Sequence, residues 1–481
     1  FAHAFLVDWL SRYAAALSLA LEFLLPETNM TAARLRNTGR FVRPVKSGSV
    51  EYTINNIREL IRLMDRAART AAPIRPAGAG SACTDCNTTP AGTIISVAGL
   101  DNILNIDTFN NTVTAQAGVR VYRLVEALAE HGLELVGAHE LTGRTLGGAI
   151  AAPSMGPGIG QRSACLASRV ISAKLVMADG KLMKVSAGQK DLLGAVRSSY
   201  GLLGVIVEAT LRVQPIANFT VSHRKLAIDD FCSVVDTLSN NEVGFKFYLL
   251  PYRDRVYLDL RRYSESAGHT FKTPWKIKDW GESTVLPNLF KSFNRLLPLH
   301  SIRYQVIDTV SEATQGIVNG RFVTTGNNTL AGSSGRNFSR TRNLLYTTWC
   351  FPAADFSVVA RAYRQFCQQS YANSRYRCDM PAVGYYVHRD RSALLSPSFD
   401  EPMIALQTSS TQVNGWEDFV IDLADFAEHW AGVPLFSQTR SLRADYARQV
   451  YGTRLDFFRK IRRQLDPEDR LLTPFMAQYF Q

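Results

Sequence analysis

Apolar residues in the first half of the chain recur with two spacings, one typical of helices and the other typical of strands. Apolar side chains three or four positions apart over residues 53–70 predict an amphipathic helix. Apolar and polar residues alternate over 205–213, which predicts a half-buried strand. Two apolar runs on either side of Ala178, Asp179 and Gly180 predict a β-hairpin, because Asp-Gly suits a tight turn. Further strands are predicted at 93–98 and 112–117.

The pattern changes after Pro215, and we take this as a domain boundary. Helices are predicted near 229–238, 356–371, 416–430 and 444–464, with strands at 219–226, around 251–254 and near Tyr385 and Ile404. Residues 265–345 form a long, aromatic segment that we expect to be irregular. The predicted organisation is an N-terminal helix (1–30), a first lobe (31–215), a second lobe (216–425) and a segment (426–481) that returns to the first lobe.

Composition favours an ordinary globular protein of two or three domains. The chain has 481 residues, of which 46% are hydrophobic and 20% are charged. Its net charge of +12 is dispersed, so it fits either a solubilising surface or attraction to an anionic cofactor, substrate or membrane surface. No nucleic-acid-binding module is recognisable. Charged residues interrupt the apolar N-terminal run, so we expect no transmembrane segment and a cytoplasmic protein.

The seven cysteines do not predict a metal site. Cys83 and Cys86 form one CxxC motif without a second pair or neighbouring histidines. A redox pair and two small buried side chains both remain compatible with that spacing.

Two glycine-rich segments carry the first chemical signal. Residues 76–81 and 143–160 are rich in glycine, which lets backbone N–H groups approach phosphate oxygens closely. The first segment follows a helix, so it is not a Rossmann fingerprint, and no Gly-Lys-Ser/Thr follows it, so it is not a P-loop. Either segment alone fits a plain turn, but together they predict a diphosphate-binding site.

The order of these segments, followed by the hairpin and the strand from Val205, resembles the FAD domain of the vanillyl-alcohol-oxidase superfamily. Within it, the chain looks most similar to the sugar-lactone and alditol oxidase branch. The resemblance implies an α+β fold, with a PCMH-type bipartite FAD-binding domain and an α+β cap domain built on an antiparallel sheet. It assigns FAD contacts to Pro76, Ala77, Gly78, Ala79, Gly80, Ser81, Ala82, Thr142, Thr145, Gly147, Gly148, Ala151, Ser154, Gly156, Gly158 and Val207.

The resemblance also implies an oxidoreductase that moves a hydride from a CH–OH group of a small organic substrate to FAD. The electrons would then pass to O2 or to another acceptor. Two alternatives remain open: flavin-dependent oxidation of an amine or secondary metabolite, and a flavoprotein that has lost redox turnover.

Three departures from the family change the expected chemistry. Many members bind the flavin covalently through a histidine at the position of Ser81, so we expect non-covalent FAD. The family's Glu-x-Arg pair aligns with Val383 and Tyr385. The lysine of its His-Trp-Gly-Lys motif is replaced by Gly432.

Oxidation of an alcohol needs a base within hydrogen-bond reach. We predict catalytic roles for His429, Tyr385 and His388, although a structural histidine at a helix end and ordinary core tyrosines fit the same pattern. Strand alternation places Tyr386 and His388 on one face, and Tyr385 on the other. Substrate contacts are predicted for Gln438, Tyr386 and Arg440.

Overall fold

In the computed structural model, the described residues are 49–65, 70–138, 141, 143–159, 165–264, 278, 281–297, 299–318, 320–325 and 344–481. The predicted helix over residues 1–30 lies outside them, as does Thr142. In this part of the chain, no helix is both long and apolar enough to cross a membrane.

The first half of the chain builds two sheets and a short strand pair. Its strands are β1 (Ser49–Thr53), β2 (Ile74–Ala77), β3 (Gly92–Ser96), β4 (Ile103–Asp107), β5 (Thr112–Gln116), β6 (Leu133–Glu134), β7 (Val170–Val176), β8 (Leu182–Ser186), β9 (Val205–Arg212) and β10 (Gln214–Pro215). A parallel sheet has the order β1-β3-β2, an antiparallel sheet has the order β4-β5-β9-β7-β8, and β6 pairs with β10.

The predicted hairpin is present as β7 and β8, whose turn places Gly180 at a φ of 84°. In β9 the side chains alternate between buried and more accessible from Val207 onward, as the sequence pattern indicates. Four helices pack beside these sheets: α1 (Ile57–Asp65), α2 (Val121–Glu130), α3 (Leu146–Ala151) and α4 (Lys190–Val196). Their apolar faces and the sheets enclose one core.

The second half builds an eight-stranded antiparallel sheet, which we call the cap sheet. Its strands are β11 (Asn218–Leu226), β12 (Gly244–Leu250), β13 (Arg255–Tyr263), β14 (Gly320–Thr325), β15 (Leu345–Pro352), β16 (Ala382–Val387), β17 (Met403–Ser410) and β18 (Val433–Pro434). Their order is β14-β11-β13-β12-β16-β17-β15-β18. The α+β class and the antiparallel sheet of the second lobe are therefore confirmed.

One face of the cap sheet is covered by helices. They are α5 (Ile228–Asn240), α8 (Phe356–Ser374) and α9 (Trp416–His429). Helices α6 (Leu286–Leu296) and α7 (His300–Gly316) pack against each other, and α7 contacts His223 and Tyr257 on the opposite face. Phe247 and Phe245 on β12 pack with Phe356 of α8 and Phe231 of α5 in an aromatic core. The opposite face of the cap sheet is turned toward the glycine-rich loops.

The expectation of irregular structure over 265–345 is wrong for residues 286–325, where α6, α7 and β14 lie. Helix α7 buries Arg303 and Gln315 beside apolar Tyr304 and Ile307. Because polar residues occupy some of the buried positions of α7, its apolar residues do not recur with a clear helical period.

The C-terminal segment contributes to both halves. Strand β18 pairs with β15 at the end of the cap sheet, whereas α10 (Ala444–Leu465) and α11 (Pro474–Phe480) pack into the core of the first half. Between the two helices, Arg470 donates hydrogen bonds from Nη1 to the carbonyls of Met64 and Ala178. The carbonyl of Arg470 accepts a hydrogen bond of 2.6 Å from the backbone N–H of Ile74.

Candidate active site

A cavity with an open volume of about 830 Å³ lies between the two glycine-rich segments. Its wall contains eleven of the sixteen predicted FAD contacts: Pro76, Ala77, Gly78, Ala79, Gly80, Ser81, Ala82, Thr145, Gly147, Gly148 and Ala151. The predicted substrate contact Gln438 also lines it. The structure therefore brings most of the predicted cofactor residues together around one space.

The two loops touch at Gly78, which lies against the side chain of Thr145. A Cβ atom on Gly78 would lie 2.2 Å from Oγ1 of Thr145, which is closer than any real contact of that kind. Thr145 also caps α3, because its hydroxyl oxygen accepts a hydrogen bond of 3.3 Å from the backbone N–H of Gly148. The glycine at position 78 is thus what allows the first loop to approach the second.

A buried cation borders the cavity beside the first loop. Arg75 is 2% exposed, and its Nε donates to the carbonyl of Cys86 at 2.6 Å while Nη2 donates to the carbonyl of Tyr200. Its Nη1 has no hydrogen-bond partner. Burial lowers the pKa of the guanidinium to about 10, which leaves it charged at neutral pH. An unsatisfied, buried cationic donor beside a glycine-rich loop suits an anionic ligand.

The C-terminal segment closes the cavity on another side. The backbone N–H of Cys83 donates to the carbonyl of Ser437 at 3.1 Å, and Oγ1 of Thr84 donates to the carbonyl of Phe436 at 2.7 Å. From the cap sheet, the hydroxyl of Tyr346 donates to the carbonyl of Ser81. The loop that follows the first glycines is therefore fixed by residues distant in sequence.

Strand β16 presents its predicted residues to different surroundings. The hydroxyl of Tyr385 donates a long hydrogen bond of 3.4 Å to the carbonyl of Met155, in the second glycine-rich segment. Tyr386 lies on the opposite face in the aromatic core, 5.7 Å between ring centroids from Phe245, and burial raises its pKa to about 12. His388 is also buried, with its ring 4.9 Å from that of Tyr386. Of these three, only Tyr385 faces the glycine-rich segment.

Two other predicted residues lie away from the cavity wall. His429 ends α9 with an exposed side chain and stacks edge-on against Trp430, at 5.3 Å between ring centroids. Arg440 contacts Glu417 at 3.3 Å and lies near the thiol of Cys83, whose pKa burial raises and the charge of Arg440 lowers to a smaller extent. Neither belongs to the lining of the cavity.

Four predicted FAD contacts also lie outside the cavity lining. Ser154 is fully buried and accepts a hydrogen bond of 2.7 Å from Nη1 of Arg144. The carbonyl of Val207 is taken by the backbone N–H of Ala117, and the neighbours of Val207 in the wall are Val205 and Ile206. The remaining two are Gly156 and Gly158.

The cavity wall also contains Arg75, Arg144 and Tyr200, to which the sequence assigned no role. A signal for Arg75 was available, because an arginine directly before a glycine run interrupts an otherwise apolar strand. No comparable pattern marked Tyr200.

The CxxC pair lies beside this cavity. Neither cysteine forms a disulfide, and burial raises the pKa of Cys83 to about 12, so its thiol stays protonated at neutral pH. Among the described residues, no group of three or more His, Cys, Asp or Glu side chains is arranged to hold a metal.

Comparison with known sequences gives this architecture a family. An FAD-binding-domain profile matches residues 50–186, and the profile of D-arabinono-1,4-lactone oxidase matches residues 209–479. The L-gulono-1,4-lactone dehydrogenase of Mycobacterium tuberculosis is 29% identical over 198 residues, which cover 41% of this chain and 45% of that protein. The L-gulonolactone oxidase of Mus musculus is 25% identical over 229 residues, covering 47% and 49% of the two chains.

Matches to these relatives span less than half of their length. Among solved structures, cholesterol oxidase from Brevibacterium sterolicum superposes with a TM-score of 0.70 at 13% identity, covering 90% of this chain and 94% of that one. At this identity the likeness shows the fold alone, which is that of a PCMH-type FAD oxidase.

The residues of the cavity fit FAD. Its diphosphate is anionic, and the wall offers Nη1 of Arg75 together with glycines of both glycine-rich segments. FAD is therefore the cofactor of this protein, and with the second profile covering more than half of its length, the chain belongs to the D-arabinono-1,4-lactone oxidase family.

Proposed function

We propose that this protein oxidises a CH–OH group of a small organic substrate with non-covalently bound FAD. The observation that carries the proposal is the contact between Tyr385 on the cap sheet and Met155 in the second glycine-rich segment. It brings the sheet face that carries Tyr385 beside the segment that lines the FAD cavity, so a small substrate has a place between the two.

Sugar lactones are the substrates that we propose first. The names of the relatives from Mycobacterium tuberculosis and Mus musculus specify gulonolactone. A lactone with several hydroxyl groups suits a surface that offers the hydroxyl of Tyr385 and the amide of Gln438, since each can donate or accept a hydrogen bond.

The side chains of the protein would bind the substrate and deprotonate its hydroxyl group, while bound FAD would serve as the two-electron acceptor. Tyr385 is the polar side chain of β16 that contacts the glycine-rich segment, and we propose that its oxygen hydrogen-bonds the substrate hydroxyl and, in the ionised tyrosinate form, receives the proton of that hydroxyl. Gln438 lines the cavity and its Oε1 accepts a hydrogen bond of 3.4 Å from Oγ1 of Thr348, which holds the amide in one orientation.

The residue at position 81 supports the proposal that FAD is held without a covalent bond. Ser81 lines the cavity at the position that we align with the linking histidine of the family, and a serine hydroxyl cannot form a histidyl linkage. O2 or another acceptor would reoxidise the flavin.

Acid precipitation of the purified yellow protein tests the linkage. We expect FAD in the supernatant, and colour that stays in the pellet would contradict the assignment of Ser81. A colourless protein that cannot be reconstituted with FAD would contradict the whole proposal.

Anaerobic mixing with L-gulono-1,4-lactone, L-galactono-1,4-lactone and D-arabinono-1,4-lactone tests the reaction. We expect at least one of them to bleach the visible flavin band, and peroxide formation in air would identify O2 as the acceptor. A protein that holds FAD but is bleached by no lactone or other alcohol would instead favour the alternative of lost redox turnover.

A further inference from the structure

The strand that lost the family's charged pair has polar neighbours on both sides. Tyr385 and Val383, which we align with the family's Glu-x-Arg pair, pair across the sheet with Lys246 on β12 and Gln407 on β17, respectively. Directly paired residues share one face of a sheet, with Cβ atoms about 5 Å apart. Lys246 and Gln407 therefore lie on the face that Tyr385 directs toward the second glycine-rich segment.

The position of the Lys246 ammonium is set by an aromatic ring. Its Nζ lies 5.1 Å from the ring centroid of Tyr248, two residues along the same strand, and the side chain is half-buried. The Nζ of Lys278 lies 4.0 Å from the same centroid and 2.8 Å from the carboxylate of Glu282. Two ammonium groups thus meet one tyrosine ring.

Further charges share this face one strand away. Asp259 pairs across the sheet with Lys246 and receives a hydrogen bond from Nδ1 of His223. Arg261, two residues along from Asp259, is 1% exposed. The described charged side chains on or against this face are therefore the cations Lys225, Lys246, Arg255, Arg261 and Lys278 and the anions Asp259, Glu282 and Glu312, so cations predominate.

We propose that Lys246 is the substrate-binding cation of this protein and that Gln407 is a second contact. The ligand group is a carboxyl-derived oxygen, either the carbonyl of a lactone or the carboxylate of the open-chain hydroxy acid. Lys246 replaces, from a neighbouring strand, the charge that β16 lacks at Tyr385. This inference rests on the proposed oxidation of a hydroxylated substrate, and it assigns the selection of that substrate to Lys246 and Gln407.

Lys246→Met tests the assignment, because methionine keeps the length of the stem and removes the charge. Lys246→Arg retains a cation. Lys225→Met is the matched control: Lys225 lies on β11, two strands from β12, and its Nζ is 5.9 Å from the ring centroid of Tyr257.

Binding is measured by calorimetry on enzyme whose flavin has been reduced with dithionite, so that no turnover occurs. The two probes are L-gulono-1,4-lactone and gulonate. Anaerobic stopped-flow reduction then gives the Kd and the limiting rate for the lactone, and the visible spectrum reports FAD content.

We expect Lys246→Met to raise the Kd of at least one probe about tenfold or more, since charge-assisted hydrogen bonds are the strong ones. Lys246→Arg should restore most of the affinity, and Gln407→Leu should raise the Kd by about threefold. A larger effect on gulonate identifies the carboxylate as the group bound, whereas a larger or equal effect on the lactone identifies the carbonyl oxygen.

The inference is overturned if Lys246→Met binds both probes as the wild type does, if Lys225→Met weakens binding equally, or if the reduced wild type binds neither probe. Failure of the proposed function has a different signature: the probes bind, but no lactone or other alcohol bleaches the flavin.

Discussion

The approach of Gly78 to Thr145 gives a prediction that can be worked from the structure. In Gly78→Ala, the new methyl group would meet Oγ1 of Thr145 at 2.2 Å, so the two loops must separate by about 1 Å. Overpacking of this kind costs about 1–3 kcal/mol. Because both loops line the FAD cavity, we expect the cost to appear as a loss of FAD affinity of about 5- to 150-fold.

A second substitution identifies the clashing atom. Thr145→Ala removes Oγ1 and leaves the Cβ of residue 145 at 3.5 Å from the methyl group introduced by Gly78→Ala, which is an ordinary contact. Alone it should cost about 1 kcal/mol through loss of the helix cap. In the Gly78→Ala background it should recover much of the lost affinity, so the two costs should not add.

FAD affinity can be measured by equilibrium dialysis, with the FAD dependence of thermal unfolding as a second readout. Gly188→Ala is the control, since a Cβ there has no heavy atom within 4 Å. If Gly78→Ala binds FAD like this control, or if the double variant shows the plain sum of the two losses, the reasoning from loop contact is wrong.

Four further outcomes are expected. Gly384→Ala should lower the free energy of unfolding by about 1–3 kcal/mol in chemical denaturation, because its Cβ would lie 2.1 Å from the ring of Phe247; a stability equal to wild type would contradict the packing. Arg75→Met should lower FAD affinity at least about tenfold by dialysis, since it removes a buried cation and leaves two carbonyls without donors; full FAD occupancy at low FAD would refute this. His429→Gln should leave the rate of flavin reduction unchanged because the side chain is exposed. A rate that is about tenfold or more lower in stopped-flow measurements would show that His429 takes part in catalysis. Cys83 should resist iodoacetamide at neutral pH, as its raised pKa keeps the thiol protonated, and rapid labelling seen by mass spectrometry would contradict the burial.

The cofactor site was largely predictable because glycine leaves a local signature. Chains that bring backbone close to phosphates need glycine at fixed points, and those points are visible in sequence. Eleven of the sixteen assigned FAD contacts line the cavity. Residues such as Ser154 and Val207 lie outside the lining and hydrogen-bond neighbouring protein groups instead. A sequence motif alone does not distinguish the residues that line the cavity from the residues that are buried behind that lining.

The substrate side was less predictable, since it depends on which strands become neighbours. Lys246 and Tyr385 are far apart in sequence and are brought together only by the pairing of β12 with β16. The motif around His429 suggested chemistry by likeness, but the exposed end of α9 is fixed by how that helix packs on the cap sheet. Alternation along β16 correctly separated Tyr385 from Tyr386, because the two faces of a strand follow from its period alone.

The closing of the cavity by Ser437 and its neighbours has a consequence for biosynthesis. A chain emerging from the ribosome has both glycine-rich loops long before it has the residues that fix Cys83 and Thr84. Helices α10 and α11, which complete the core of the first half, appear after the whole cap sheet has been made. Stable capture of FAD must therefore wait until these segments have been translated, and a chain terminated before them would be made without its cofactor.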